Sequence, residues 1–548
     1  MSKIVISSNC VFTGLKDEPE EAAILIEGNK IMKITGTIEE MEPWITSDTE
    51  IKNFEDKLVI PGFHDFHLHI FPGALELISV NLTGTKSEQE VIDQLKESVR
   101  IFENKQWIIG FSWENGCWEN TNLPTKQSLD EIFPDRPVIL NHLENHYCWV
   151  NSKALEIAGI NRNTSDPDFG QVVKDENGEP TGILMEKAQD LVQQYAYSFT
   201  EEEKLTMLRN YFDHTAAQGI TSMNDMYAPS SDFLDDFSLY SKLDEKGYLK
   251  SRIYLQPKLN GDIESAIKLR NEFKYTKIRM NGLKQFVDGV ITGHTAFLLE
   301  AYADRNQYMG ETTYPVETLE KWILEADREG FSIRLHAIGD GAVKFSLDAF
   351  EKARKLNGPK DVRHTIEHVE CIQEEDIARF EKLNIIASVQ PYHLAALESK
   401  IYMERLGLDR YSRTFLNKSF IEAGTRLALG SDFPVVKISP MHEIYHAVTR
   451  KDSTNVSTWN ENEKLSMPQA IRSYTIEPAY GSFREHETGT LEEGKLADLV
   501  VLDRNLFTIS HEDILETKIL LTVMDGEIMY ASNTKSKEEQ VHAPHLLL

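Results

Sequence analysis

The stretch that decides the fold is Val59-Ile60-Pro61-Gly62-Phe63-His64-Asp65-Phe66-His67-Leu68-His69. Strand-forming residues lead into a Pro-Gly bend, and two histidines then follow two residues apart. On an extended backbone this spacing points both imidazoles to the same side, where they can bind one metal ion. An isolated His-x-His pair is more often an ordinary core or surface pair, because spacing without partners has many false positives. The metal interpretation therefore depends on further ligands elsewhere in the chain.

Length and charge limit the classes of function. The chain has 548 residues and a formal net charge of -30, with 41% hydrophobic and 27% charged residues. This length suits one large α/β barrel with accessory parts. The negative charge excludes nucleic acid and anionic membrane as partners, because phosphates would be repelled. No apolar run approaches the ~20 residues of a bilayer span, and the N-terminus lacks a signal-peptide pattern, so we expect a cytoplasmic protein.

The four cysteines, Cys10, Cys117, Cys148 and Cys371, lie far apart in the sequence. They form no Cys-x-x-Cys pair, which indicates a reducing compartment and predicts neither a disulfide framework nor a thiolate zinc site.

Both ends of the chain have the residue pattern of short β-strands. These are predicted at residues 3–12, 22–27, 30–35, 57–60, 499–502, 519–524 and 527–530, with Gly28-Asn29 as a hairpin turn. We therefore expect a small β-sandwich domain built from both termini, residues 1–58 and 485–532, and a loose polar tail after residue 532.

The middle of the chain alternates strands with helices, which is typical of a parallel α/β architecture. Eight strands are predicted at residues 58–66, 220–225, 252–257, 278–287, 332–337, 365–369, 385–390 and 427–431. Eight such strands close a (β/α)8 TIM barrel, here spanning residues 59–484. Helices are predicted at 316–329 and 341–355.

The gap after the first barrel strand is unusually long. A helix near 87–104 is followed by extra strand-like segments at 107–111 and 138–142. We interpret residues 106–197 as a large insertion after the first barrel strand.

In a barrel of this kind, catalytic groups lie where strands end and loops begin. The predicted strand ends carry His67 and His69, Lys284, His336, His364 and His368, and Asp432. Each alone has a simpler interpretation as a core histidine, a solvated lysine or a helix cap. Together, imidazoles and a carboxylate converging from separate strands indicate a metal; zinc suits this nitrogen and oxygen set, and manganese, iron or cobalt also fit. His368 lies nearer the barrel mouth than His364 and is the predicted ligand, while His364 has a packing or supporting role.

These motifs resemble the amidohydrolase superfamily. The resemblance rests on Pro61-Gly62-Phe63 before His-x-His, the spaced His336 and His368, Gly430-Ser431-Asp432, and residues 475–479 and 489–500. Residues 110–113, 145–155 and 182–186, with Lys284 four residues before Asp288-Gly289, are similar to its YtcJ-like branch, which includes N-substituted formamide deformylase. The resemblance covers about residues 3–530. His294 departs from it, since family members commonly carry Arg there, and this position bears on the substrate.

The resemblance implies a centre of one or two zinc ions. His67, His69 and Asp432 would hold one metal, His336 and His368 a second, and Lys284 would bridge them as a carbamate formed with carbon dioxide. An ammonium cannot bind a cation, whereas a carbamylated lysine is an anionic oxygen ligand. Two metals would lower the pKa of a bridging water toward ~7 and polarise the scissile carbonyl, and Asp432 would pass the proton to the leaving amine. A one-metal variant on His67, His69, His336 and Asp432, with His368 orienting water, stays open.

Candidates for substrate contact complete the predicted site. They are Trp113, His146, Glu186, Asp288 and His294, with Trp118 and Trp149 as further aromatics of the insertion. The alternative for the aromatics is an ordinary core role, and for Glu186 a helix-surface carboxylate.

The leading functional hypothesis is a metal-dependent hydrolase that cleaves a non-peptide, linear amide-like C–N bond of a small molecule. A deaminase on the same scaffold is the second hypothesis, and a catalytically silent metal-binding or regulatory barrel is the third. An aldolase using a Schiff base on Lys284 leaves the histidines unexplained. A homodimer is compatible with the sequence, which does not decide the oligomeric state.

Overall fold

The structure, a computed structural model, describes residues 3–98, 107–143, 145–229, 231–396, 399–452, 454–455 and 457–532. Its strands are β1 (Lys3–Val11), β2 (Glu20–Glu27), β3 (Lys30–Thr35), β4 (Thr49–Asn53), β5 (Leu58–Pro61), β6 (Phe63–Leu68), β7 (Val80–Asn81), β8 (Ile108–Trp113), β9 (Val138–His142), β10 (Tyr147–Val150), β11 (Gly170–Lys174), β12 (Pro180–Glu186), β13 (Ile220–Met226), β14 (Arg252–Gln256), β15 (Ile278–Met280), β16 (Gly282–Phe286), β17 (Ser332–Ala337), β18 (Thr365–His368), β19 (Ile386–Val389), β20 (Leu427–Leu429), β21 (Leu499–Leu502), β22 (Ile519–Met524) and β23 (Glu527–Ala531).

The helices alternate with the strands through the middle of the chain. They are α1 (Ile70–Leu77), α2 (Glu88–Ser98), α3 (Lys126–Asp130), α4 (Ser152–Ala158), α5 (Asp190–Ala196), α6 (Glu201–Ala217), α7 (Ser231–Leu234), α8 (Ser238–Glu245), α9 (Ile263–Glu272), α10 (Val316–Arg328), α11 (Asp340–Asn357), α12 (Glu374–Leu383), α13 (His393–Ala396), α14 (Ser399–Tyr411), α15 (Asn417–Glu422), α16 (Pro440–Thr449), α17 (Met467–Ser473) and α18 (Ile476–Gly481). Within the described residues, no helix is both long enough and apolar enough to cross a membrane. The last part of the helix predicted near 87–104, and the tail after residue 532, lie outside the described residues.

Strands from both ends of the chain form one eight-stranded sheet in the order β23-β22-β21-β5-β1-β2-β3, with β4 paired to β1. Apolar side chains are buried on both faces of β1 and β2: Ile6 and Ile24 lie in one core with Val501 and Val523, and Val5 and Leu25 lie in another. Continuous runs of branched apolar residues favour such strands, which are buried on both faces. The two termini are therefore held together by a common hydrophobic cluster.

All eight strands predicted for the middle of the chain are present, in two parallel sheets. One has the order β15-β14-β13-β6 and the other β16-β17-β18-β19-β20. Isolated parallel bridges join the two sheets: Leu68 at the end of β6 pairs with Phe433, and Lys258, just after β14, pairs with Lys284 of β16. The predicted α/β architecture with parallel sheets is confirmed.

Two predicted strand boundaries differ from the structure. The fourth predicted strand is divided into β15 and β16, and the first is divided at Gly62 into β5, in the terminal sheet, and β6, in the parallel sheet. A Cβ atom on Gly62 would lie 2.4 Å from Thr221 Oγ1. Only glycine therefore fits where the chain passes from one sheet to the next.

The predicted helices 316–329 and 341–355 correspond to α10 and α11. Both bury one apolar face, including Ile323 of α10 and Leu347 and Phe350 of α11. Period-3.6 spacing of apolar residues favours this packing, with charged residues left on the opposite face.

The chain divides into two compact units. One comprises Met1–His69, Phe212–Tyr227 and Tyr240–Ser532, and the other comprises Ile70–Tyr211 and Ala228–Leu239. The second unit has its own six-stranded sheet, in the order β11-β12-β10-β9-β8-β7. Its core contains Trp113, Trp118 and Trp149. Cys10, Cys148 and Cys371 are free thiols.

Candidate metal centre

Three side chains from separate strands converge in the first unit. His67 near the end of β6, His368 at the end of β18 and Asp432 just after β20 bring their ligand atoms within 4.8 Å of one another. All three are buried. Asp432 Oδ1 lies 3.3 Å from His67 Nε2 and 3.0 Å from Nε2 of His69. The structure therefore brings the sequence-predicted His-x-His pair together with His368 and Asp432.

The three histidines are held by their other ring nitrogen. His67 Nδ1 lies 2.7 Å from Glu367 Oε2. His69 Nδ1 lies 2.8 Å from the Met226 carbonyl oxygen, and His368 Nδ1 lies 2.8 Å from Gln390 Oε1. Partners of this kind fix the orientation of a ligating imidazole and leave Nε2 for the metal.

Glu367 is the central supporting residue. It is completely buried, and besides His67 it accepts a hydrogen bond from Arg334 Nε at 2.5 Å. Burial alone would raise the pKa of the Glu367 carboxyl, but the Arg334 guanidinium and His67 outweigh it and hold this pKa well below its usual range. Burial, together with Lys284, lowers the pKa of His67 to about 4. An ionised carboxylate therefore orients a neutral imidazole, the protonation state that a metal ligand requires.

Lys284 lies on β16 with its side chain completely buried. Its Nζ atom has no hydrogen-bond partner in the described part of the chain. Burial lowers the pKa of this amine to about 8. Burial of an amine without a partner is energetically unfavourable.

The His336 ring packs edge-on against the His368 ring, with ring centroids 4.4 Å apart. Its Nε2 atom lies 3.1 Å from the carbonyl oxygen of Gly289. His364, by contrast, is engaged on both sides, since Nδ1 accepts from the Ile333 amide at 3.1 Å and Nε2 lies 3.0 Å from Asp327 Oδ1. Both ring nitrogens of His364 are therefore occupied within the protein.

The backbone is strained where these strands end. His368, Val369 and Asp432 have φ values of 73°, 46° and 56°. Non-glycine residues rarely adopt this region, and a β-branched residue is an outlier there. Such strain concentrates at functional sites, where surrounding contacts enforce it.

Asp65 connects the two strand ends that carry His67 and Asp432. Its Oδ1 accepts hydrogen bonds from the His67 amide at 3.2 Å and the Ser431 amide at 3.0 Å, and Tyr474 donates to Oδ2 at 2.7 Å. Burial raises the pKa of Asp65 to about 6. Neither Asp65 nor Glu367 is among the site residues predicted from the sequence, although each is a carboxylate inside a predicted strand.

Two of the residues predicted to contact substrate lie in the first unit. Asp288 is buried and accepts hydrogen bonds from the amides of Phe297, Ile338 and Gly339 at 2.9, 3.0 and 2.9 Å, so it holds the segment that follows β17. His294 Nε2 lies 3.0 Å from Asp304 Oδ2, which also pairs with Arg405.

The other three lie in the second unit. Trp113 is completely buried in that unit's core and donates to the Leu140 carbonyl oxygen at 3.0 Å. His146 Nδ1 lies 3.0 Å from Glu186 Oε1, and both side chains are partly exposed. Trp113 is thus a packing residue in its own unit, while the His146–Glu186 pair has exposed surface.

Comparisons with known proteins agree with this geometry. The Amidohydrolase family pattern matches residues 50–530. The chain is 32% identical over 534 residues to the putative amidohydrolase YtcJ of Bacillus subtilis, covering 96% of this chain and 99% of that protein. It is 26% identical over 524 residues to N-substituted formamide deformylase of Arthrobacter pascens, covering 93% and 94%.

A solved structure is similar over most of its length. The crystal structure of an uncharacterized metal-dependent hydrolase from Pyrococcus horikoshii superposes with a TM-score of 0.76 at 25% identity, covering 93% of this chain and 99% of that one. The family pattern spans far more than half of the chain. The chain therefore belongs to the amidohydrolase family.

Proposed function

We propose that the protein is a zinc-dependent hydrolase that cleaves a linear, non-peptide C–N bond of amide type in a small molecule. The observation that carries this proposal is the convergence of His67, His368 and Asp432 within 4.8 Å. Family membership supports hydrolysis, and the likeness to N-substituted formamide deformylase supports the bond type.

The proposed scaffold is a closed (β/α)8 barrel over residues 59–484, with an insertion at about 106–197 and a β-sandwich from residues 1–58 and 485–532. The bridges from Leu68 to Phe433 and from Lys258 to Lys284 support closure of the two parallel sheets. Carboxyl ends of barrel strands meet at one face, which is where His67, His368 and Asp432 lie on their strands.

The donor set fits two divalent metals. His67, His69 and Asp432 would hold one and His336 and His368 the other, with Lys284 between them. When bound, such metals lower the pKa of water toward neutrality and polarise a substrate carbonyl. The feature that supports a bridging carbamate is the buried Nζ of Lys284, which has no hydrogen-bond partner among the described residues.

Carbamylation of Lys284 needs only carbon dioxide. The neutral amine nitrogen forms a bond to the carbon of carbon dioxide, one C=O electron pair moves to oxygen, and an amine proton leaves to solvent. Burial of Lys284 lowers its pKa to about 8, which increases the fraction of neutral amine near neutral pH. The product is an anionic pair of oxygen ligands.

Asp432 is the proposed proton carrier. Burial would raise the pKa of its carboxyl, but His67, His69 and His368 outweigh it and hold this pKa well below its usual range, so the group is ionised. As a base it accepts a proton from the attacking water and delivers it to the leaving amine nitrogen. Glu367 and Gln390 keep the histidines around it in place.

The test is a hydrolysis panel with zinc-loaded protein. N-substituted formamides and other linear amides are incubated with the wild type and with Asp432→Asn, and carboxylate, amine and ammonia are measured separately. We expect carboxylate and amine from the wild type and at most traces from the variant. Ammonia release from amidine-like compounds without amide cleavage would indicate a deaminase instead. Hydrolysis of no amide, ester or lactone by fully loaded protein would contradict the proposal.

A further inference from the structure

His393 is a buried histidine beside the metal centre, and it is not among the site residues predicted from the sequence. It is the first residue of α13, three residues after Gln390, and only 6% of it is exposed. Its ring lies parallel to that of His368, with centroids 6.0 Å apart and planes 14° apart. His393 Nε2 is 3.6 Å from Asp432 Oδ2.

The Nε2 atom of His393 has no hydrogen-bond partner in the described part of the chain. The 3.6 Å separation from Asp432 is longer than a hydrogen bond. Buried polar atoms are normally satisfied, as both ring nitrogens of His364 are. An open position on a buried ring that faces Asp432 therefore indicates a ligand atom that arrives from outside the protein.

The other side of the ring faces a carboxylate beyond hydrogen-bond distance. Glu370 Oε1 lies 3.7 Å from His393 Nδ1, and Tyr402 donates a hydrogen bond to Oε2 of the same carboxylate. The His393 amide donates to the Gln390 carbonyl oxygen at 3.0 Å. Since Gln390 also contacts His368, the loop after β19 fixes His393 and His368 relative to each other.

We infer that His393 is a substrate-contacting residue that donates a hydrogen bond from Nε2 to an oxygen of the scissile group, and to the tetrahedral oxyanion that forms there. The inference rests on the proposed hydrolytic function of the centre. Glu370 and Tyr402 are positioning residues, because they act on the ring and not on the substrate. A donor placed at the developing charge stabilises the transition state more than the ground state.

The first test uses inorganic phosphate as a tetrahedral oxyanion. Zinc-loaded wild type, His393→Gln, His393→Asn and Tyr402→Phe are titrated with phosphate by calorimetry, with zinc-free protein as the blank. His486→Gln serves as the matched control, because the His486 side chain is 92% exposed. Zinc content and the thermal unfolding midpoint of each variant show that it is folded and loaded.

We expect zinc-dependent phosphate binding that is at least tenfold weaker in both His393 variants and severalfold weaker in Tyr402→Phe, with unchanged zinc content. Phosphate that does not bind the loaded wild type, or that binds the folded His393 variants as tightly as the control, would overturn the inference.

The second test is kinetic. With an amide that the wild type hydrolyses, His393→Gln should lower kcat about 10²–10³-fold while KM changes little, as for loss of an oxyanion donor. A merely structural role would instead lower zinc content and stability. Zinc-dependent phosphate binding that requires His393, without hydrolysis of any amide, would contradict the proposed function alone. Normal kcat in His393→Gln would contradict the inference alone.

Discussion

Replacing Glu367 by glutamine removes the charge that His67 and Arg334 share. The Glu367 side chain is completely buried, with Oε2 2.7 Å from His67 Nδ1 and Oε1 2.5 Å from Arg334 Nε. Glutamine keeps the size of the side chain, but it leaves the buried Arg334 guanidinium without a counter-charge. Its amide group also provides one acceptor oxygen where the carboxylate provides two, so either Arg334 or His67 loses its partner.

Two effects of known size should follow. Leaving one partner of a buried ion pair uncompensated costs about 3–5 kcal/mol. With an unfolding entropy of about 2.1 cal/mol/K per residue, and the roughly 380 residues of the first unit unfolding together, this lowers the thermal midpoint by about 4–6 °C. Losing the group that orients a ligating histidine weakens metal affinity by about 10–100-fold.

The two effects are measured separately. Thermal unfolding in excess chelator reports the loss of the ion pair in metal-free protein, and a zinc competition titration reports the loss of orientation of His67. The matched control is Glu461→Gln, since Glu461 pairs with Lys464 at 2.7 Å with its side chain 72% exposed. A surface pair of this kind contributes about 0–1 kcal/mol, so the control should change little. Equal midpoints and equal zinc affinities for the two variants would refute the role given to Glu367.

Three further predictions concern single side chains. Lys284→Ala should abolish hydrolysis, and formate or acetate in the assay should restore part of it; full activity without them would remove the bridging role of Lys284. Asp432→Asn should lower kcat by about 10²–10⁴-fold, as for loss of a general base, whereas a kcat close to that of the wild type would exclude Asp432 as the proton carrier. His64 sets an acid limit on stability, because burial lowers its pKa to about 3 in the folded protein, against about 6.5 in the unfolded chain. Between these values the unfolded chain binds a proton that the folded protein does not, so stability falls as pH falls from about 6.5 toward 3, by up to about 1.4 kcal/mol per pH unit. The thermal midpoint of His64→Gln should therefore fall less on acidification than that of the wild type, and identical pH profiles would contradict this.

The strand ends of the first unit could be predicted from sequence because the pattern is local. Alternation of strands and helices located all eight middle strands, and reading only their ends selected His67, His368 and Asp432, which the structure brings together. The division of the first strand at Gly62 could not be predicted, because it depends on a contact with Thr221, more than 150 residues away.

The residues that hold the metal-site histidines could not be predicted from the sequence either, because their contacts also join distant parts of the chain. Glu367 and His67 are 300 residues apart in the chain, and no local pattern shows that these two side chains face each other. His393 lies outside any strand, so a search limited to strand ends passes over it. The role of Trp113 could not be predicted from the sequence for another reason. An aromatic residue has the same local sequence pattern whether it lines a pocket or fills a core.

Short motifs can also point to the wrong place. The sequence His442-Glu443-Ile444-Tyr445-His446 on α16 has the spacing of a helical zinc site. In the structure Glu443 instead accepts a hydrogen bond from the Tyr392 amide at 3.0 Å, and both histidine rings pack on the Tyr392 ring. Among the described residues, neither histidine belongs to a group of three metal-binding side chains. The motif here builds an aromatic stack.

The most direct test of the account is the metal content of active protein. The chain is stripped with chelator and reloaded with zinc in steps, and bound zinc per chain is measured by mass spectrometry alongside hydrolysis of an accepted amide. The account predicts that activity is absent without metal and reaches its maximum at two equivalents per chain. Full activity with one equivalent or less would contradict the two-metal centre built around His67, His368 and Asp432.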